Sequence, residues 1–324
     1  MGLNGQRVTV TVTLNPSLDR TVELPRLAVG EVLRATGGHL HPGGKGVNVA
    51  RALLANGRRA VAVLPAGGAV GAQLATLLSD EGVESVVVPI AGQTRSNVTV
   101  AETDGTVTKI NEPGPRLAQD ELESVVGAAV DAAGPGSWVV LCGSLPAGAA
   151  PDTYALIVRR LRDRGVRVAV DTSGPALVEA VAAGPDLVKP NAEELAEAVG
   201  RELASRADVI AAARELRDAG AGQVLVSLGA DGAVLVGDEV LVGTSVAAVP
   251  RSTVGAGDAF LAGYLAAHDD GPRAALASAL AWGAAAVQLP GTQMPGPSDI
   301  DPATATVLPD DQTDELLPQP LVGA

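Results

Sequence analysis

Residues 137–200 read SWVVLCGSLPAGAAPDTYALIVRRLRDRGVRVAVDTSGPALVEAVAAGPDLVKPNAEELAEAVG, and the alternation in this stretch decides the fold. Short apolar runs (SWVVLCG, VRVAVD, DLVKPN) pass through small loops into helical patterns (PDTYALIVRRLRDRG, PALVEAVAAG, AEELAEAVG), and a further helix, AQDELESVVGAAVDAA, precedes them from Ala118. Alternation at this spacing predicts an α/β domain with a parallel central sheet, right-handed crossovers and helices on both faces. Ligand groups should then gather at the carboxyl ends of the strands, where GSLP, DTSG and KPNAEE fall. Ser144 follows a strand and can bond a substrate hydroxyl or phosphate. Lys189 and Asn191 end another, and Glu194 stands in the first turn of the next helix. There it either organises water around Mg²⁺ or answers the helix dipole. Cys142 reads as a packed thiol, because no His lies near it in sequence.

Working downstream, ADVIAAARELRDAG (207–220) predicts a helix and QVLVSLG (223–229) a strand. GADGAVLVGDEVLVG (229–243), with a turn at Asp231-Gly232, predicts an antiparallel edge on the sheet. Then comes RSTVGAGDAFLAG (251–263), a glycine turn running straight into an apolar helix. Gly255 and Gly257 permit close approach, so the free N–H groups around Gly255, Ala256 and Gly257 can converge on an anion with the helix dipole behind them. Asp258 stands at the mouth of that helix, read as solvent-facing. It is either a capping residue or a base that takes the proton of an attacking hydroxyl. GAGDAF lacks the third glycine of a dinucleotide fingerprint. HPGGKGVN (41–48) is not a P-loop either, since Gly46 follows Lys45 and His39 stands six residues before it. A helical pair is expected over Ala256–Ala267 and Pro272–Leu289, and after Pro290 the Pro-, Asp- and Thr-rich sequence predicts a loosely attached tail over 291–324.

Upstream, RVTVTVTL (7–14) predicts a strand that delivers NPSLD, with Asp19 as its polar candidate. Short alternating stretches to about Leu40, and the hairpin TRSNVTVAETDGTVTKINEPGP (94–115), suggest a minor sheet from roughly residues 20–40 and 95–110. Arg95 at the hairpin's base, with Lys109, Asn111 and Glu112 at its far end, would face the cleft, although a solvated strand-end charge reads as well for Arg95. Between these pieces PGGKGVNVARALLANG (42–57) predicts a glycine-rich loop entering a helix at about Val47. Lys45 and Asn48 at its mouth are candidate anion ligands.

Composition narrows the partners. The 324 residues are 47% apolar, enough to bury a large core, and carry a net charge of −14, which argues against nucleic acid or an anionic membrane. Only three of 23 basic residues are lysines, and Lys45, Lys109 and Lys189 all lie in motif-like segments. A single cysteine and the absence of an apolar signal core at the start suggest a cytoplasmic protein.

As an ordered set, NPSLD, GGKGVNVARAL, TRSN with INEPGP, GSLP with KPN, and SLGADG with TVGAGD resemble the ribokinase-like, phosphofructokinase-B family of sugar kinases, in its hexose-phosphate branch. The resemblance runs from about Val8 to Pro290. It implies a three-layer fold with a small β lid that is often a dimer clasp, hence a kinase domain over 1–290 and an expected homodimer through the lid. It implies ATP-dependent phosphorylation of a ketohexose phosphate, foremost fructose 1-phosphate, with tagatose 6-phosphate and fructose 6-phosphate as alternatives. Asp258 would be the base and residues 255–258 the anion hole. Lys45, Arg95 and Asn48 would grip the phosphate already on the substrate, Asp19, Gly43 and Gly44 its hydroxyls, and Ser144 would neighbour the phosphate. Lys189, Asn191, Ser227, Gly229 and Gly232 match the nucleotide side, Glu194 the Mg²⁺ region, and Arg34 would be carried to a substrate by the lid. His41 stands where that branch usually has Asp, and Ser252 replaces the Asp common before the glycine turn. A regulator of the same fold that binds sugar phosphates without turnover is the reading from another class.

Overall fold

The computed structural model describes residues 8–247 and 251–309. Strand β1 (Thr9–Thr13) is flanked by β4 (Ala60–Ala66) and β8 (Trp138–Cys142), both parallel to it. The sheet continues beyond β4 to β5 (Glu84–Pro89), and beyond β8 through β9 (Arg167–Asp171), β10 (Leu187–Val188) and β11 (Gln223–Ser227), every pair parallel. Strands β12 (Ala233–Val236), β13 (Val240–Ser245) and β14 (Ala305–Pro309) close that side as an antiparallel edge, completing ten strands.

The strands read as unbroken apolar runs because successive side chains enter two separate cores. In β8, Val139 and Leu141 face one layer while Trp138, Val140 and Cys142 face the other. The first layer is α3 (Gln119–Ala132), α4 (Thr153–Arg162), α5 (Pro175–Ala182), α6 (Ala192–Val199) and α7 (Arg206–Asp218). The second is α1 (Lys45–Ala55), α2 (Gly68–Asp80), α8 (Ala256–Ala266) and α9 (Pro272–Ala286). Helix α8 is apolar nearly all round, with residues 258–265 buried, and it packs against both α1 and α9. The α8–α9 approach depends on Gly263, where a Cβ would stand 2.7 Å from the Ser278 carbonyl oxygen.

A second sheet has the order β3 (Gly37–Gly43), β2 (Ser17–Leu24), β6 (Arg95–Glu102), β7 (Val107–Ile110), with β2 and β6 parallel. Its strands come from the two stretches read as a minor sheet. The tail expectation needs correction. Residues 305–309 are not loose but extend the central sheet, pairing Val242 with Leu308 and Gly243 with Val307. The short run ATVLP was hidden among Pro and Asp residues, and its strand forms because β13 offers an open edge. Residues 310–324 lie outside the described residues. Among the described residues, no helix is long and apolar enough to cross a membrane.

Candidate active site

Four parallel strands, β1, β8, β9 and β10, end on one rim of the sheet, and the N-termini of α1 and α8 open onto the same place. Gly255 caps α8 in a left-handed conformation (φ 80°), and within the turn Ala256 N donates to Thr253 O at 3.4 Å and Asp258 N to Gly255 O at 3.1 Å. Lys189, at the end of β10, sends its ammonium to 3.7 Å from the position a Gly257 Cβ would take. A fixed cation therefore stands beside the helix start that the sequence suggested as an anion hole.

Asp258 is not at the solvent-facing mouth that the sequence suggested. It is 7% exposed, and its Oδ2 accepts from Asn48 Nδ2 at 2.8 Å. Burial, with the Asp171 carboxylate nearby, pushes its pKa up to about 7 against the opposing pull of Asn48, Lys45 and Lys189. A carboxyl poised there can exchange a proton near neutral pH, which a capping aspartate does not need.

Asp171, at the end of β9, is the residue that sequence reasoning passed over. It is fully buried between two lysines: Lys45 Nζ donates to Oδ1 at 2.8 Å, and Lys189 Nζ lies 3.2 Å from Oδ2 in an ion pair that lacks hydrogen-bond alignment. Burial disfavours its charge, yet Lys189 and Lys45 hold it below the ordinary carboxylate range. Burial also works against the Lys45 ammonium, but Asp171 and Glu194 outweigh it and keep Lys45 firmly charged. Only the position of DTSG at a strand end marked this residue.

Glu194 and Asn191 form a capping box on α6, with Glu194 N donating to Asn191 Oδ1 at 2.7 Å and Asn191 N to Glu194 Oε2 at 2.9 Å. The other carboxylate oxygen, Oε1, still reaches Lys45 at 3.4 Å. Next to them Asn191 bridges to Ser227 at the end of β11. There the turn through Gly229 (φ 60°) and Gly232 (φ 91°) folds back so tightly that a Cβ on Gly232 would sit 2.1 Å from Gly243 O. These residues make one continuous rim.

The group expected to grip the substrate phosphate is divided. Asn48 faces Asp258, Lys45 faces Asp171 and Glu194, and Arg95 stands at the base of β6, donating to Asn15 O and Glu112 O at 2.9 Å each. Arg95 Nε is buried without a partner, and burial lowers the guanidinium's pKa against the pull of Asp19 and Glu112. Asn15, another residue passed over, donates to Ser144 Oγ at 3.3 Å and so joins the ends of β1 and β8. Asp19 accepts from Ser17 Oγ at 2.6 Å and Asn97 Nδ2 at 3.0 Å. A Cβ on Gly43 would lie 2.4 Å from the Asp19 carboxyl, so this glycine is required for the carboxylate to lie across the loop. Lys109 is exposed on β7, and Arg34 is exposed in the loop between β2 and β3.

No group of three His, Cys, Asp or Glu side chains able to hold a metal occurs among the described residues. Glu194, with Oε2 on Asn191 N and only the longer 3.4 Å contact to Lys45 on Oε1, suits a divalent ion held mainly by phosphates and water rather than an all-protein cage.

The family model described as pfkB family carbohydrate kinase matches residues 12–299. A 1-phosphofructokinase of Rhodobacter capsulatus is 41% identical over 85% of this chain and 89% of its own length. The ATP-dependent 6-phosphofructokinase isozyme 2 of Escherichia coli is 39% identical over 78% and 82% respectively. The crystal structure of phosphofructokinase-2 from Escherichia coli in complex with potassium superposes with a TM-score of 0.86 at 35% identity, covering 91% of this chain and 97% of that one.

Proposed function

Because the chain belongs to the pfkB family of carbohydrate kinases and is thus a sugar-kinase phosphotransferase, we propose that it transfers the γ-phosphoryl group of ATP to a hydroxyl of a ketohexose phosphate, foremost fructose 1-phosphate. The observation that carries the catalytic assignment is Asp258, buried beside the glycine-capped start of α8 with its pKa near 7. Asp258 takes the proton as the substrate hydroxyl attacks phosphorus. The bond to the ADP oxygen breaks, and the amides of 255–257 with Lys189 receive the charge spread over the transferring group. Asp19, Gly43 and Gly44 orient the sugar, and Arg95 meets the phosphate it already carries, with Ser144 as neighbour. Lys45 joins Arg95 by exchanging part of its contact with Glu194. Asn191, Ser227, Gly229 and Gly232 border the nucleotide. Mg²⁺, when bound with ATP, would supply charge neutralisation on the phosphates, and Glu194 is the carboxylate placed to orient its water. Consumption of ATP agrees with the expected cytoplasmic location.

Fructose 6-phosphate is the second reading, favoured by the 39% identity to a 6-phosphofructokinase. ATP consumption over a panel of fructose 1-phosphate, fructose 6-phosphate, tagatose 6-phosphate, fructose and ribose separates the readings. Phosphorylated sugars should far exceed free ones, because fixed cations are needed only when the substrate brings its own charge. In Arg95→Ala the KM for the preferred phosphosugar should rise by an amount equivalent to about 1.5–3 kcal/mol, with the KM for ATP little changed. Equal kcat/KM for free and phosphorylated sugars would overturn the substrate assignment, and no turnover of any sugar would favour a binding regulator.

The four-stranded lid is too small to bury an apolar face by itself. It leaves Val29 and Val32 in its loop almost fully exposed and Val107 and Ile110 more than half exposed. We expect a homodimer joined through the lid, seen by light scattering at micromolar concentration. A strictly monomeric species would contradict it.

A further inference from the structure

One buried arginine lies behind the proposed base without touching the cleft. Arg51 follows Asn48 by three residues on α1, which puts the two side chains on one helical face. Its guanidinium is only 9% exposed, and all three nitrogens are in use. Nε and Nη2 clamp the Glu81 carboxylate at the end of α2, at 2.5 and 3.2 Å. Nη1 donates to Thr292 O at 3.1 Å and to Asn48 Oδ1 at 3.3 Å. Asn48 in turn points its Nδ2 at Asp258.

An amide's two ends are almost identical in shape, so packing alone does not choose which one faces Asp258. Arg51 can only donate, and it accepts no other orientation of Asn48 than oxygen inward. The amide N–H then has to face the carboxylate. We infer that Arg51, anchored by Glu81 and the Thr292 carbonyl, is a positioning residue that locks the Asn48 amide so that an N–H always meets the Asp258 carboxylate. This inference rests on Asp258 being the base, and it assigns Arg51 and Glu81 a part in the reaction although neither reaches a substrate.

Without Arg51 the amide can turn its oxygen to Asp258, an arrangement tolerated only when the carboxyl holds a proton. The base would then be withdrawn at neutral pH. The charged groups around Asp258 are Asp171, Lys45 and Lys189, whereas Arg51 bonds Glu81, Asn48 and Thr292. On Arg51's side stand Glu81 and His41, and burial followed by the Arg51 charge holds His41 below its ordinary pKa. Glu81 is one-third exposed and can hydrate if it loses its partner.

The test is the pH profile of kcat at saturating ATP and phosphosugar in the full chain, for Arg51→Met, Asn48→Ala, their double variant and Asp258→Asn. Losing a charge-assisted hydrogen bond should move the acid limb up by about one pH unit and lower kcat at pH 7 about fivefold, with both KM values held within about twofold. Because Arg51 acts through Asn48, the double variant should show one shift and not the sum of two. An acid limb in Arg51→Met that coincides with the parent, or additive shifts in the double variant, overturns the inference. Near-normal turnover in Asp258→Asn would instead remove the base assignment beneath it. If Arg51→Met does not fold, Arg51→Lys takes its place, since one ammonium on Glu81 cannot also fork to Asn48.

Discussion

Asp258→Asn should lose between about 10²- and 10⁴-fold in kcat while its KM for ATP stays close to that of the parent, because removing a general base leaves the binding rim intact. The same substitution should not weaken the fold. Burial raises the folded-state pKa of Asp258 to about 7, above its unfolded value, so the group binds a proton more readily in the native chain. Its contribution is therefore most favourable below pH 4 and is lost progressively as the pH rises through 7. Asparagine is neutral throughout. At pH 8 the variant should be more stable than the parent, by at most about 4 kcal/mol from a shift near three units, and at pH 5 most of the difference should vanish. The parent's kcat should decline below about pH 7 as the base protonates. Turnover within tenfold of the parent would remove Asp258 from the chemistry. A variant that melts lower at pH 8 than the parent would show that desolvation does not raise the carboxyl's pKa.

How far the chain discloses this site depends on the range of each interaction. The central sheet was legible because apolar runs and helical periods repeat over residues 118–200, and each element needs only its neighbours in sequence to declare itself. The glycine turn before α8 was legible for the same reason: capping geometry and first-turn amides are local. Depth was not legible. Asp258 reads as a helix-mouth carboxylate until α1 is laid against α8 and supplies Asn48 from 210 residues away. Asn48 and Lys45 share one helix start, so they read as one anion site, but their side chains diverge to Asp258 and Asp171. Strand β14 has five residues and no period of its own, and it becomes a strand only because β13 presents an unpaired edge.

Asp171 gives the other large effect, and it is one of stability. The carboxylate is buried between Lys45 and Lys189, and Lys189 is itself 4% exposed with no other acidic ion-pair partner among the described residues. Lys45 is different: it keeps Glu194 at 3.4 Å and is partly open to water. Asp171→Ala should therefore strand mainly Lys189, and breaking a buried pair by removing one partner costs about 3–5 kcal/mol. Asp171's pKa is held below its unfolded value, so its stabilisation is complete above about pH 4 and disappears as the pH falls through the folded-state value. Urea unfolding at pH 7 should show the loss in full, and the gap between parent and variant should narrow under acid. The double variant Asp171→Ala with Lys189→Met removes the stranded charge and should recover much of the stability, because uncharged replacements of a buried pair are often close to neutral. Its kinase activity should stay low, since Lys189 also flanks the proposed anion hole at Gly257. Equal unfolding midpoints for the single and double variants would show that Asp171 stabilises the strand ends by packing and not by balancing Lys189.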